Sequence, residues 1–455
     1  MRSWRFLVAL LWLAAAPVFA ALRAGAARTC ITPPPGTIIN GGVSPVVAKQ
    51  IHDDLYVRAL VLDDGAICLA FAVVDTCLLD RAVCDEAKKL IGLPSDRVLI
   101  SATHTHSGGS VCGAHLSEAD EPYRRSLPPK IAEAVKTAMA NLAPAQVGWG
   151  SGSIPQHVFC RRLLVKEGVI YTNQLGQTTE RVKMSWGSPH PADGEPAGPV
   201  DPELFVLSVK HADGRHLALL ANYSLHYVGG VGVGDISADY FGVFAERIAE
   251  LLGTDKSFVG ILSNGTSGDI NNVNPKIKPE RQEPYAQIRR VAEDVAQETL
   301  RVTRNLRYTS NVKLGAALRE CVVATRRPSA AEVEQARAVI AGKPLLRGWL
   351  DNYAREQVLL ADLPSEVSMP LQVFRVGELA ILAWPGEIFA ASGLELKKRG
   401  RLFNIGLANG WYGYIPPSEQ FPLGGYETWR MRTSCLETNA IPKMIAVFDD
   451  LLKSP

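Results

Sequence analysis

The chain has 455 residues, and its 48 basic and 46 acidic side chains leave a formal charge of +2 at pH 7. So balanced a surface carries no electrostatic footprint for nucleic acid, and no partner of that class is expected. Eight cysteines are too few for a disulfide scaffold in a chain this long, and with no CxxC pair they do not read as a cysteine zinc site.

Residues 1–20 read as a secretory signal. Arg2 and Arg5 precede an apolar run from Phe6 to Ala16, and Val18-Phe19-Ala20 supplies a small-x-small cleavage pattern. The run is shorter than the roughly 20 residues that a membrane span needs. The mature protein, residues 21–455, is therefore expected in a secreted or periplasmic location, soluble or at most in peripheral contact with a membrane.

Next, Ala27 to Gly36 reads as a short entry strand stopped by prolines. Tyr56 to Leu62 and Ala66 to Val74 flank Asp63-Asp64-Gly65, a hairpin signal. A helix over Asp80 to Ile91, a strand over Arg97 to Thr103 and a helix over Pro128 to Leu142 follow. Further hairpins are expected over Leu163 to Tyr171, Leu204 to Leu225 and Leu371 to Ala383, with one more strand over Phe258 to Leu262. Helical spacing covers Tyr240 to Leu252, Tyr285 to Asn305, Ala330 to Ala341, Leu346 to Leu360, Ile388 to Arg399 and Thr438 to Leu452. Trp186 to Val200, with several Pro and Gly, reads as a long surface loop. No linker, low-complexity segment or repeat divides the chain. The fold class expected is α/β in the mixed α+β sense: one large domain with mixed sheets and flanking helices.

Several polar residues fall at the ends of these strands, where open α/β sheets bind ligands. His104 and His106 follow the 97–103 strand, two residues apart, and on a strand such a pair faces one way and suits a metal; the same pair also fits a polar turn. His226 ends a strand, and alone it reads as structural. The glycines of Gly229 to Gly234 lack dinucleotide-binding spacing and read as a flexible wall. Asn264 to Asn272 crowds hydroxyl, amide and carboxylate groups on a Gly-permissive loop, in which Ser267 lacks the GxSxG elbow. Asn222 and Asn264 head formal glycosylation sequons, taken as chance matches beside a site. Glu387 sits where it could cap the next helix through the helix dipole. Tyr414 and Tyr426 read locally as ordinary aromatics.

Taken together these segments resemble the neutral ceramidase family. The shared features are Ala27-Arg28-x-x-Ile31-Thr32-Pro33-Pro34, Thr103-His104-Thr105-His106-Ser107-Gly108, the isolated His226, Gly268-Asp269 in an Asn-rich loop, Pro385-Gly386-Glu387, and Ala408-Asn409 before Tyr414-Ile415. The resemblance implies a zinc site on His104, His226, Glu387 and Tyr414, with His106 beside the metal. It places Tyr426 and Arg161 near the substrate, the latter in Cys160-Arg161-Arg162. In one place the sequence departs from the family pattern: Asn271 stands where the family's Gly-Asp-Val-Ser-Pro-Asn has its active-site serine. An amide is no hydroxyl nucleophile, though it can donate a hydrogen bond to an oxyanion. The family's C-terminal β-sandwich is not expected.

The resemblance thus implies a zinc-dependent amidohydrolase of an N-acyl amide, lipid-like in the manner of a sphingolipid. Zinc-activated water would attack, His106 or Asp269 would handle protons, and Asn271 and Arg161 would steady the carbonyl oxygen. Ser267 or Thr266 would stand in for the missing serine only if the loop shifted register. Trp411 and Tyr412 would line an apolar wall. The alternatives are a zinc hydrolase of another amide or ester, such as a cell-wall or glycan-derived acyl group, and an inactive ligand-binding homologue.

Overall fold

The computed structural model describes residues 21–185 and 187–453. The expected signal peptide lies outside the described residues, as does Trp186, the first residue of the 186–200 loop.

Eight strands form one sheet: β1 (Arg23–Cys30), β2 (Tyr56–Asp63), β3 (Cys68–Val74), β4 (Val98–Ala102), β5 (Ala143–Ser153), β6 (Glu203–His211), β7 (His216–Tyr223) and β8 (Val259–Asn264). Their spatial order is β8-β7-β6-β5-β1-β2-β3-β4. The edge pairs β7/β8 and β3/β4 are parallel, and the strands between them are antiparallel. A second sheet holds β9 (Leu314–Ala324), β10 (Glu366–Val376), β11 (Leu379–Ala383) and β12 (Leu402–Ile405) in sequential order.

Strand periodicity explains the layering. Along β2, Val57, Ala59 and Val61 face one core, while Leu60 and Leu62 face another. Along β3, Ala70, Ala72 and Val74 take the first side and Leu69, Phe71 and Val73 the second. Because both faces are covered, these strands read as continuous apolar runs instead of alternating ones. On the outer face lie α1 (Arg81–Ile91) and α2 (Glu121–Ala140), and further along the sheet α3 (Asp239–Leu252) and α4 (Ala286–Arg304). The inner face packs on the second sheet through Phe374, Ile381, Phe403 and Ile405. The far side of that sheet is covered by α8 (Ala440–Leu451), whose Met444 and Phe448 meet Leu371 and Trp384. The result is a mixed α+β fold of four layers: helices, sheet, sheet, helix. Two further helices, α5 (Ala330–Ile340) and α6 (Gly348–Leu360), form a hairpin, and α7 (Ala390–Lys397) follows β11.

The large sheet curls until its two edges touch. β4 contacts β8, and the segment after β12 laces them together: Ala102 N–H donates to Leu407 O at 3.1 Å and Gly406 N–H to Asn264 O at 3.0 Å. The carboxyl ends of β4, β7, β8, β11 and β12 therefore converge, although they are remote in sequence.

Some local expectations are corrected. Val169 to Tyr171 does not return as a hairpin strand; Arg162–Val165 pairs instead with Val182–Met184 and Asp193–Pro196, and Ile170 is left 82% exposed. That last strand also interrupts the expected 186–200 loop. α2 begins at Glu121, with Asp120 capping it through the Tyr123 N–H, so Pro128 and Pro129 lie inside the helix and do not open it. β5, with the sequence APAQVGWGSGS, carries too much glycine to show strand periodicity, yet it sits mid-sheet between β6 and β1. Its glycines fit because Gly148 and Gly150 are overlain by Arg307 and Leu306.

Candidate metal centre

His104 and His106 do come together, but not by strand alternation. β4 ends at Ala102, and His104 takes a left-handed backbone, with φ of 76°. That turn swings the His104 ring back towards His106, so their Nε2 atoms are 3.2 Å apart. His226, three residues beyond the end of β7, brings its Nε2 to 2.9 Å from that of His104. Glu387 and Tyr414 are paired across the short parallel strands Glu387–Ile388 and Tyr414–Ile415. The Glu387 Oε2 atom lies 3.4 Å from His104 Nε2 and 3.9 Å from His226 Nε2. His104, His226, Glu387 and Tyr414 are buried, and His106 is half-buried.

The protons on the histidines decide what this cluster can hold. His104 Nδ1 lies 2.9 Å from the Cys77 carbonyl, and His226 Nδ1 lies 3.1 Å from the Ser267 carbonyl. A carbonyl only accepts, so each Nδ1 carries the proton and each Nε2 presents a lone pair. Two lone pairs at 2.9 Å repel unless a cation lies among them. Glu387 Oε2 points at the same place and is buried without a hydrogen-bond partner, while Oε1 accepts from Trp411 Nε1 at 3.0 Å. Two imidazole nitrogens and an orphaned carboxylate oxygen fit a borderline cation such as zinc. In the ion-free protein a proton serves instead. Burial opposes charge on His104, but neighbouring Cys77 and Glu387 outweigh it and hold its pKa well above the ordinary value. Burial, together with the His104 charge, pushes His106 and His226 well down. Burial alone would raise the Glu387 carboxyl; the His104 charge beside it gives a net lowering. Burial drives the Tyr414 phenol well up, against the opposing charge of Arg161.

Around this cluster is a cavity of about 30 Å³, lined among others by Gly41, Cys77, His115, Trp411, Tyr426 and Thr433. The His106 ring is clamped between Tyr227, stacked at 3.5 Å, and Gly41. Gly41 has φ of 129°, and a Cβ there would come within 2.5 Å of the ring, so the position needs glycine. Arg161 donates from Nε to Glu427 Oε1 at 2.8 Å; its Nη1 lies 3.4 Å from His226 Nε2. Its Nη2 is buried without a partner. Arg162 takes the other Glu427 oxygen at 2.7 Å, so one carboxylate buried at 0% exposure holds two guanidinium groups.

Other candidates lie elsewhere. The Asp269 carboxylate accepts the Ala390 N–H at 2.9 Å and so caps α7, while its carbonyl accepts the Arg161 N–H. The helix-capping role open to Glu387 thus belongs to Asp269, and Glu387 is freed to face the histidines. Asn271 sits in a two-residue bridge opposite Phe159, with Oδ1 on the Val273 N–H at 3.1 Å. Neither Asp269 nor Asn271 lines the cavity. Ser267 spends its hydroxyl on Asn264 Oδ1 at 2.8 Å, and Thr266 packs on Gly393; neither lines the cavity. Gly229 and Gly230, at the head of the glycine run, border a separate open cleft of about 770 Å³, together with Asn272, Val273 and Ile277. Asn222 and Asn264 are buried, as expected of chance sequons. Tyr412 stays half-buried and bonds the Ser368 carbonyl. All eight cysteines are free.

Sequence reading missed Cys77, His115, Tyr227 and Gly41. Asp75-Thr76-Cys77, a polar triplet directly after a buried strand, was a usable signal; nothing in the sequence marked His115.

The mixed α+β architecture is the fold of solved neutral ceramidases. The solved structures most similar to the chain include neutral ceramidase from Pseudomonas aeruginosa and a ceramidase complexed with C2, each with a TM-score of 0.70 at 17% identity over 95% of this chain and 74% of the other. No protein-family model matches the chain, and no curated protein matches it in sequence.

Proposed function

We propose that the protein is a zinc-dependent, ceramidase-like hydrolase of an N-acyl amide, exported to a secreted or periplasmic location. The observation that carries this reading is the convergence of two imidazole Nε2 atoms, whose Nδ1 partners are both carbonyls, and the Glu387 Oε2 on one point. Tyr414, beside Glu387, completes the donor set. An ion held there would polarise a carbonyl and bring the pKa of a bound water towards about 7. The surrounding side chains have separable duties. His106, kept neutral by burial, accepts a proton through its imidazole. Arg161 Nη2, a buried donor without an acceptor, steadies the carbonyl oxygen as charge builds on it. Tyr426 adds a hydroxyl on the same side. Nothing in this scheme requires a serine nucleophile, which suits Asn271.

The test is metal analysis of the purified protein, joined to turnover of N-acyl sphingosines of varied chain length and of short acyl amides and esters. Stoichiometric zinc with amide turnover is expected, and His104→Ala should lose both. A His104→Ala protein that keeps zinc and full turnover would sink the reading. Turnover confined to short acyl amides or esters would move the substrate away from sphingolipid while leaving the chemistry intact.

A second reading, an inactive ligand-binding homologue, is favoured by Asn271, which the bridge to Phe159 turns away from the cavity. Bound zinc without turnover across the whole panel would select it.

A further inference from the structure

Tyr426 reaches the metal cavity from a 3-10 turn, and its ring packs at 5.4 Å from that of Tyr414. Which way its hydroxyl proton points decides whether it can help a reaction there. The answer lies in two residues that nothing so far has used. His115 Nε2 is 3.0 Å from the Tyr426 hydroxyl, and His115 Nδ1 is 3.0 Å from Asn352 Nδ2 on α6. The same Asn352 nitrogen lies 3.8 Å from the Met431 sulfur, which has no proton to give. The Asn352 nitrogen therefore faces two acceptors, the thioether and His115 Nδ1. With Nδ1 accepting, the His115 proton sits on Nε2 and is donated to the tyrosine oxygen. The tyrosine must then send its own proton elsewhere, and the side left to it is the cavity that it lines together with Tyr414.

The backbone is built to keep this arrangement. His115 is left-handed, with φ of 56°, a conformation that residues with a side chain seldom adopt. Its carbonyl is gripped by two guanidinium groups, Arg355 and Arg432. Burial pushes the imidazole down to about 4, so it is neutral near pH 7 and only the tautomer is in question. Trp349, also from α6, packs edge-on against both His115 and Tyr426.

We propose that His115 and Asn352 are positioning residues that lock Tyr426 as a hydrogen-bond donor into the metal cavity, so that the α5–α6 hairpin takes part in the site without touching substrate. The inference rests on the hydrolase reading above for its kinetic consequence, but its structural content can be tested without turnover.

Histidine-labelled 15N spectra of the whole protein, with the His115 signals assigned by their loss in His115→Gln, read the tautomer directly. Protonation at Nε2 is expected in the wild type. Asn352→Asp places a carboxylate at Nδ1 and should draw the proton to that nitrogen. On the best amide substrate Asn352→Asp should lower kcat about tenfold to a hundredfold, with KM within about twofold and zinc content unchanged. His115→Gln, whose amide can still donate to the tyrosine, should keep more activity than His115→Phe. Once Tyr426→Phe is in place, His115→Phe should cost little more. A wild-type His115 protonated at Nδ1, or a folded, zinc-bound His115→Phe with wild-type kcat, would overturn the proposal. If no substrate is turned over, the hydrolase reading fails while the tautomer spectrum still decides this one.

Discussion

Single side chains set the tolerances of the site. Gly41 leaves no room beside His106, so Gly41→Ala should displace the ring and also strain a left-handed backbone, costing about 1–3 kcal/mol. Thermal unfolding and kcat measured on the same preparation test this, and an equally stable, fully active variant would show that the ring is not clamped. Glu427 is a sharper case, because its buried carboxylate pairs with both Arg161 and Arg162. Glu427→Ala strands two buried charges and should cost about 3–5 kcal/mol in urea unfolding. Substituting an exposed pair such as Lys276 and Glu195 should move the same measurement by less than about 1 kcal/mol.

At the scale of elements, Asp269 is a cap borrowed from a distant loop. Its carboxyl is raised to about 6 from an ordinary 3.8 because burial penalises the charged form more than the Ala390 N–H relieves it. The folded protein therefore binds this proton more tightly than the unfolded chain does. The contribution of Asp269 to stability is largest below pH 4, falls as pH rises towards 6 and is flat above that. Asn cannot titrate, so the stability of the wild type relative to Asp269→Asn should fall by about 2 kcal/mol between pH 4 and pH 7. A difference that does not vary with pH would refute this assignment. If Asp269 caps α7 and does not carry protons for catalysis, Asp269→Asn should also keep its zinc and most of its turnover.

The same scale shows what the sequence could reveal. The Asp63-Asp64-Gly65 and Ala212-Asp213-Gly214 hairpins were legible because turn chemistry and apolar runs are both local. β5 was not, since its glycines answer to Leu306 and Arg307 more than 150 residues away. His104 and His106 were found for a reason that did not hold: a pair of histidines two apart signals a shared direction on a strand, but here a left-handed turn provides it. Resemblance, not spacing, pointed to Glu387 and Tyr414, whose proximity depends on a parallel pairing that no local pattern encodes. Asn352 and His115 are 237 residues apart and ordinary in their own surroundings.

For the whole molecule, the curled sheet is what gathers donors from β4, β7 and the segments after β11 and β12. Metal binding should accordingly be a property of the folded state. Zinc added to chelator-treated protein at about a hundred times its dissociation constant should raise the unfolding free energy by about 2.7 kcal/mol. His226→Ala should abolish that increase, and an undiminished rise would place the ion elsewhere.

The lacing of β4 to β8 by residues 406–408 has a temporal side. His104 is made well before Tyr414, and the loop that joins the two sheet edges, residues 406–408, is made just before Tyr414. An ion captured by the full donor set would thus act as a late clasp, closed only after the whole span from His104 to Tyr414 has been made. Uptake of the ion during refolding should then trail the recovery of helix and sheet, and its arrival would mark completion of the fold.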